Sequence, residues 1–246
     1  MRTYIINLPQ SVERRVAMER QLSRFPELEA EFIPAVEGRK MSEEELSQAF
    51  DRETSRAYYG RDLTRGEVGC TLSHVRCYNH IAAAGDEVAL ILEDDADLGT
   101  ELPDFSPLER LLSGTERPMV VLLSGHYWYW PGFRRSLKRV FCAYYTHSYL
   151  INRSAARLLA ARFRRPFHLA DNWLHIHRQG VQVLAVRPHW INQISTDETS
   201  TVGVNLSLVG SRGLVKRNLS VFRRMESYYE GAVRKILKCI GCYEND

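Results

Sequence analysis

Residues 88–92 read VALIL, five apolar side chains with no polar member among them. A strand with one wet face alternates apolar with polar, whereas an unbroken run is buried on both faces and needs helices above and below its sheet. PMVVLLS at 118–124 repeats the pattern. Strand compositions recur at 3–8 (TYIINL), 31–36 (EFIPAV), 148–152 (SYLIN) and 181–186 (VQVLAV). Helical periods fall between them at 12–24, 42–50, 66–83, 154–163 and 171–178. Ser11 and Ser42 stand at N-cap positions, Glu45 completes a capping box with Ser42, and Gly85 ends the long helix. Strands alternating with helices predict an α/β domain with a mostly parallel central sheet.

Composition narrows the class further. A chain of 246 residues, 44% hydrophobic and 26% charged, is neither disordered nor fibrous. Its apolar runs are too short to cross a bilayer, and the opening MRTYIINLPQSVERR reads as strand then helix rather than as a signal peptide. The expected location is cytoplasmic. Five irregularly spaced cysteines suit a reducing compartment better than a disulfide framework.

The net charge of +3 is unevenly spread. Residues 212–240 hold eight Lys/Arg against Glu226 and Glu230, a balance of +6, so the rest of the chain is mildly acidic. We therefore divide the chain into a 1–211 domain and a basic helical tail at 212–246. On a helical wheel the tail separates Leu214, Val215, Leu219, Val221, Phe222, Met225, Tyr228, Tyr229, Val233, Ile236, Leu237 and Ile240 from Arg212, Lys216, Arg217, Arg223, Arg224, Arg234, Lys235 and Lys238. Two readings stay open: the apolar half packs on the domain, or it docks at an anionic membrane at the inner face of the cytoplasmic membrane.

The segment richest in chemistry is LILEDDADL at 90–98, where Glu93, Asp94, Asp95 and Asp97 follow directly on the buried run. Ligands of open α/β sheets bind at the carboxyl ends of strands. In an extended chain Glu93, Asp95 and Asp97 share a face while Asp94 points away. Crowded carboxylates repel one another, and a divalent cation is the usual remedy. An all-oxygen set selects Mg²⁺ or Mn²⁺. The plainer reading is a solvated acidic turn.

INLPQSVERR at 6–15, GEVGCTLSH at 66–74, LILEDDADL at 90–98, SYLINRSAARLL at 148–159 and LADNWL at 169–174 stand in an order that resembles glycosyltransferase family 25, the bacterial lipooligosaccharide galactosyltransferases and their collagen-modifying relatives. The resemblance spans roughly residues 3–195. It implies a GT-A-like nucleotide-sugar-binding domain and transfer with inversion at the anomeric carbon. It makes Asp95 the principal metal ligand, Glu93 its partner, and Asp94 a neighbour of the donor ribose.

The remaining site residues carry two readings each. Asn7, Arg14 and Arg15 lie where the first strand meets its helix, a place that offers N–H groups and guanidinium donors to a diphosphate. Otherwise the two arginines are solvated helix charges. Glu67, Ser73 and His74 become donor-side residues by resemblance, although His74 also suits the core. Cys70 and Cys77 lie about 10 Å apart along a helix, too far to share one zinc, and read as packed residues. Cys239 and Cys242 have no second pair. By the resemblance Asp171 is the base that takes the acceptor proton; its position where a helix starts also suits an N-cap, and one residue can serve as both. Tyr127, Trp128 and Trp130, in a loop at 126–133, offer aromatic faces to an acceptor sugar.

Together these features point to a metal-dependent, inverting glycosyltransferase. It would move a sugar, galactose by resemblance, from a UDP-sugar to a glycan or glycolipid such as lipooligosaccharide, using Mn²⁺ or Mg²⁺. The rivals are a nucleotidyltransferase and a non-catalytic nucleotide-sugar or glycan-binding module. INLPQSVERR lacks the glycines of a phosphate loop, which disfavours the first. The acidic body argues against nucleic acid as a partner.

Overall fold

A computed structural model describes residues 1–132, 136–194 and 221–244. The elements run β1 (Arg2–Asn7), α1 (Val12–Leu22), β2 (Glu29–Pro34), a 3₁₀ turn (Gly38–Lys40), α2 (Glu43–Ala49), α3 (Arg52–Tyr59), α4 (Arg65–Ala84) and β3 (Val88–Glu93). Then come β4 (Ala96–Asp97), α5 (Ser106–Ser113), β5 (Met119–Leu122), β6 (His126–Trp130), β7 (Leu137–Tyr144), β8 (Ser148–Asn152), α6 (Arg153–Arg162), α7 (Trp173–Arg178), β9 (Gln182–Val186) and β10 (Asn192–Gln193). The last described elements are α8 (Val221–Cys239) and β11 (Tyr243–Glu244).

Nine strands form one sheet in the order β11-β6-β7-β9-β5-β8-β3-β1-β2. Strands β2, β1, β3, β5, β9 and β6 share a direction, so the sheet is mostly parallel in sense; β8, β7 and β11 run against them. Alternation along each strand divides the core in two. Tyr4, Ile6, Ala89 and Ile91 face one layer, where α4 and α6 pack; Ile5, Leu90 and Leu92 face the other with Met18, Leu108 and Leu112. VALIL is thus buried on both sides, as its composition requires.

Local signals act as the sequence predicts at several ends. Ser42 and Glu45 make a capping box, and Gly85 closes α4 with φ +76°. Ser11 occupies the N-cap of α1, but its side chain makes no capping bond. The segment at 126–133 is not a loop: His126–Trp130 is strand β6, paired with β7, and Phe133 lies outside the described residues. The expected division at 211/212 also lies outside the described residues. Within the described part of the tail, β11 pairs with β6, and Leu237 and Cys242 are buried in the same core as β6 and β7.

Candidate functional site

Strands β2, β1 and β3 are parallel neighbours, so their carboxyl ends open into one depression. The cavity there measures about 290 Å³. Ser11 and Arg14 from the start of α1 line one side. Gly66, Cys70, Ser73 and His74, which share one face of α4, line another, with Glu93, Asp94 and Asp95 between them. Backbone contact sets the distance from α4 to the turn after β2. A Cβ on Gly69 would stand 2.6 Å from the Val36 carbonyl, and one on Gly38 would stand 1.9 Å from the Arg65 carbonyl.

The chain turns at Asp94 and Asp95, and this turn replaces the expected alternation. Asp94 therefore lines the cavity, while Asp97 points to solvent and binds the Gly99 N–H at 3.0 Å. The Asn7 amide donates to Asp94 Oδ2 at 2.8 Å, and Arg14 donates to Asp94 Oδ1 at 2.9 Å. Arg14 also reaches Asp95 Oδ2 at 3.5 Å, and Gln193 from β10 donates to the same oxygen at 3.1 Å.

Glu93 accepts a hydrogen bond from the Thr146 hydroxyl and lies 3.4 Å from His74 Nε2. His74 Nδ1 meets the Tyr149 hydroxyl at 2.8 Å, and that hydroxyl donates to Tyr78 at 3.2 Å. Burial alone would raise the Glu93 carboxyl, but the hydrogen bond and charge of His74, the Thr146 hydroxyl and His147 outweigh it and hold the group low. Asp95 goes the other way. Burial and then the Glu93 charge push it up, against the opposing pull of Gln193 and Arg14. Two adjacent carboxyls driven apart in this way compete for too little counter-charge.

One atom tests whether a divalent cation fits. Asp95 Oδ1 is buried and has no hydrogen-bond partner. Such an oxygen needs an explanation, and a cation beside Glu93 and Asp95 supplies one. A softer set lies adjacent, since ligand atoms of Cys70, His74 and Glu93 fall within 4.8 Å of one another. Cys70 is thus brought to the cavity rather than left in simple packing, while Cys77 is fully buried elsewhere. Burial, then the charges of Glu93 and Asp171, push the Cys70 thiol well above its ordinary range, so it does not stand as a thiolate. The oxygen pair suits Mg²⁺ or Mn²⁺ better than the mixed set suits zinc.

Asp171 lies beyond Glu93, outside the cavity lining. The N-cap of α7 is Asn172, whose Oδ1 accepts from His175 N at 3.1 Å, so the carboxylate of Asp171 is not spent on capping. It accepts one long bond from Tyr145 N at 3.4 Å. Burial pushes its carboxyl up to about 6; the Tyr145 N–H opposes this, and the Glu93 charge adds to it. Tyr145 is held at φ +73°, its carbonyl bound by Trp173 Nε1 at 2.7 Å, and the residue is 47% exposed.

Several expected residues are placed elsewhere. Arg15 turns from the cavity, pairing with Glu19 at 2.9 Å and lying over the Phe32 ring. Glu67 is not among the residues that line the cavity: it is the N3 residue of a Thr64 capping box, and both its oxygens are bound by Arg61. Ser73 lines the cavity, but its hydroxyl already bonds Gly69 O and Val36 N. Tyr127 is fully buried with its hydroxyl on Val186 O at 2.5 Å, so it offers no ring to a sugar. Trp130 packs edge-on against Phe141 yet stays exposed on β6, and Trp128 packs against Tyr144 and Tyr243. The exposed aromatics nearest Asp171 are instead Tyr144 and Tyr145. Sequence reasoning missed Thr146 and Gln193, which reach the acids from distant elements without any local signal. It also missed Gly38 and Gly69, whose signal was their glycine identity in otherwise regular segments.

The sequence model described as glycosyltransferase family 25 (LPS biosynthesis protein) matches residues 1–128. A glycosyltransferase 25 family member of Aedes aegypti is 39% identical over 97 residues, covering 37% of this chain and 16% of that protein. Procollagen galactosyltransferase 1 of Danio rerio is 35% identical over 95 residues, again 37% and 16%. The matched stretch thus spans about a sixth of the length of these relatives. A solved structure, mannose-1-phosphate geranyltransferase from Thermus thermophilus, is similar over 78% of this chain and 75% of its own, at TM-score 0.37 and 11% identity, too slight to bear on function. With 128 of its 246 residues matched by the family's own sequence model, the protein belongs to glycosyltransferase family 25.

Proposed function

We propose that this protein moves a sugar, galactose by its family, from a UDP-sugar to a hydroxyl of a lipooligosaccharide or similar surface glycan. Transfer proceeds in the cytoplasm with inversion at the anomeric carbon. The observation that carries the reading is the orphaned Asp95 Oδ1 beside Glu93, set at the carboxyl ends of β1 and β3. In a glycosyltransferase that is where a donor diphosphate and its cation belong. Glu93 and Asp95 would hold Mg²⁺ or Mn²⁺, which when bound would supply Lewis-acid stabilisation to the departing UDP.

The chain's own residues do the rest. Arg14 and Ser11, at the start of α1, line the cavity and hold phosphate oxygens. Asn7 fixes Asp94, so that the carboxylate keeps one orientation toward the ribose. Asp171, released from capping and raised toward neutrality, takes the proton from the attacking acceptor hydroxyl. Tyr144 and Tyr145 offer ring faces to the acceptor sugar beside it.

A second acceptor class is favoured by the relatives' names, several of which specify procollagen. One experiment separates the readings: a screen of UDP-sugars with Mn²⁺ or Mg²⁺, scored by UDP release with lipooligosaccharide, with a procollagen-type peptide, and with neither. Acceptor-stimulated release with the first supports the glycolipid reading, and release with the second alone moves the assignment to procollagen. No UDP release with any donor overturns the catalytic reading.

A further inference from the structure

Helix α8 lies on the domain through the face a surface helix normally turns to water. Its inward side holds Arg223, Glu226, Glu230, Arg234, Val233 and Leu237. Arg223 lies over the Tyr58 ring at 4.0 Å and bonds Glu230 at 2.9 Å, while Arg178 from α7 reaches Glu230 at 3.2 Å. Among the described side chains of the helix, Leu237 is the buried apolar one, with Val233 packed beside it. The other large apolar side chains described on the helix and at its end look out. Met225, Tyr228, Tyr229, Ile236 and Ile240 are 67%, 63%, 62%, 61% and 57% exposed. At 100° per residue these five fall within an arc of about 120°. From Met225 to Ile240 the stripe is about 22 Å long. An apolar stripe of that extent, held outward by ion pairs on the opposite face, marks an interaction surface.

Charge decides the occupant. Lys235 is exposed at one edge of the stripe and Lys238 is exposed about 60° further round, its Nζ 5.0 Å from the Tyr243 ring centroid, whereas both acids of the helix, Glu226 and Glu230, are tied to Arg178 and Arg223 on the inward side. The outward charge of the described helix is therefore positive. That complements an anionic lipid surface, while a second copy of the helix would bring lysines against lysines. The helix is also coupled to the site. Arg234 donates to the Tyr144 hydroxyl at 2.5 Å, and the next residue, Tyr145, donates its N–H to Asp171.

We propose that α8 is a lipid-docking element: Met225, Tyr229, Ile236 and Ile240 enter the headgroup layer of an anionic bilayer, and Lys235 and Lys238 meet its phosphates. For the purpose of this docking the inference rests on the glycolipid reading above, since it would set the Tyr144–Asp171 edge against membrane-borne acceptor. The docking itself does not depend on catalysis.

The test is sedimentation of the full chain with phosphatidylcholine vesicles, with and without phosphatidylglycerol. Wild type binds only the anionic vesicles, and high salt weakens the binding. Ile236→Ser and, separately, Tyr229→Ser each reduce binding about tenfold or more. Lys235→Gln with Lys238→Gln reduces it about 30-fold and flattens the salt dependence. All variants keep the wild-type melting temperature and the wild-type rate of UDP release without acceptor. Wild type that ignores anionic vesicles at low salt overturns the proposal, as does binding that survives both stripe substitutions. A dimer that Ile236→Ser dissolves, without vesicle binding, assigns the stripe to a second copy instead. Loss of UDP release in the wild type would fall on the catalytic reading and leave the vesicle result standing.

Discussion

At Asp171 a one-residue shift separates two roles. Asn172 caps α7, so the neighbouring carboxylate contributes nothing to that helix end. Asp171→Asn should therefore spare the fold but lose the proton acceptor, and kcat should fall by about 10²–10⁴ with donor affinity retained. The pH profile gives a second check. With its carboxyl raised to about 6, wild-type kcat should climb as pH passes that value, and the Asn variant should lack the limb. For stability the sign is opposite. The folded state keeps its proton where the unfolded state, near the ordinary value of 3.8, has lost it, so stability falls as pH rises from about 4 to about 6. The Asn variant should therefore melt at or above wild type at neutral pH; a clear drop there would make Asp171 structural. Asp95→Asn has a different signature. It removes the charge but keeps the shape around the orphaned oxygen, so Mn²⁺ binding read by paramagnetic broadening should be lost with little change in melting. Unaltered Mn²⁺ binding would remove Asp95 from the metal site.

Among elements, α4 positions the site by how closely it approaches the turn after β2. Gly69→Ala would press a methyl to 2.6 Å from the Val36 carbonyl, a backbone atom with no rotamer to yield. The expected cost is about 1–3 kcal/mol, or roughly 2–12 °C in melting temperature, with donor affinity falling as the cavity widens. A Gly69→Ala protein that melts and binds donor as wild type does would show that this contact is not what spaces the walls. The same helix shows which parts of the site sequence alone could reveal. Its extent, its Gly85 stop and the acids after VALIL are legible because each is set by local propensity or by an unbroken apolar run. Glu67 misleads as a donor contact, because the family motif draws the eye past the local cap that its partners Thr64 and Arg61 make. Arg15 cannot be separated from Arg14 by type, since only the direction of α1 relative to β3 decides which guanidinium meets the acids. Thr146 and Gln193 are invisible for a related reason: they reach Glu93 and Asp95 from 53 and 98 residues away. Tyr127–Trp130 misleads by composition, because aromatic alternation fits a strand as well as a binding loop, and β7 is needed to pair it.

Across the whole molecule, the last described residues close the sheet that the first ones open. β11 covers the edge of β6, Tyr129 N donates to Cys242 O at 3.1 Å, and Glu244 pairs with Arg187 at 2.7 Å. An exposed β6 edge would be an open row of unpaired backbone groups, so this strand protects the fold as well as extending it. The helix before it carries two adjacent residues with opposite fates. Leu237 is 2% exposed and joins the core of β6 and β7, whereas Ile236 is 61% exposed. On the separation by side-chain type seen in the sequence, the two belong to one apolar face and should behave alike. In the folded molecule the face turned to the domain is the charged one, and among the described side chains Leu237 is the apolar one that projects from it deeply enough to be enclosed. Leu237→Ala should cost about 3 kcal/mol through lost burial and an unfilled space, lowering the melting temperature by roughly 6–12 °C. Ile236→Ala should leave it within about 1–2 °C, since an exposed side chain loses almost no contact on truncation. Calorimetry on the two single variants and their double decides the matter, because effects of such unequal origin should simply add. Equal losses at both positions would mean that the apolar face, not the ion-paired one, is turned to the sheet.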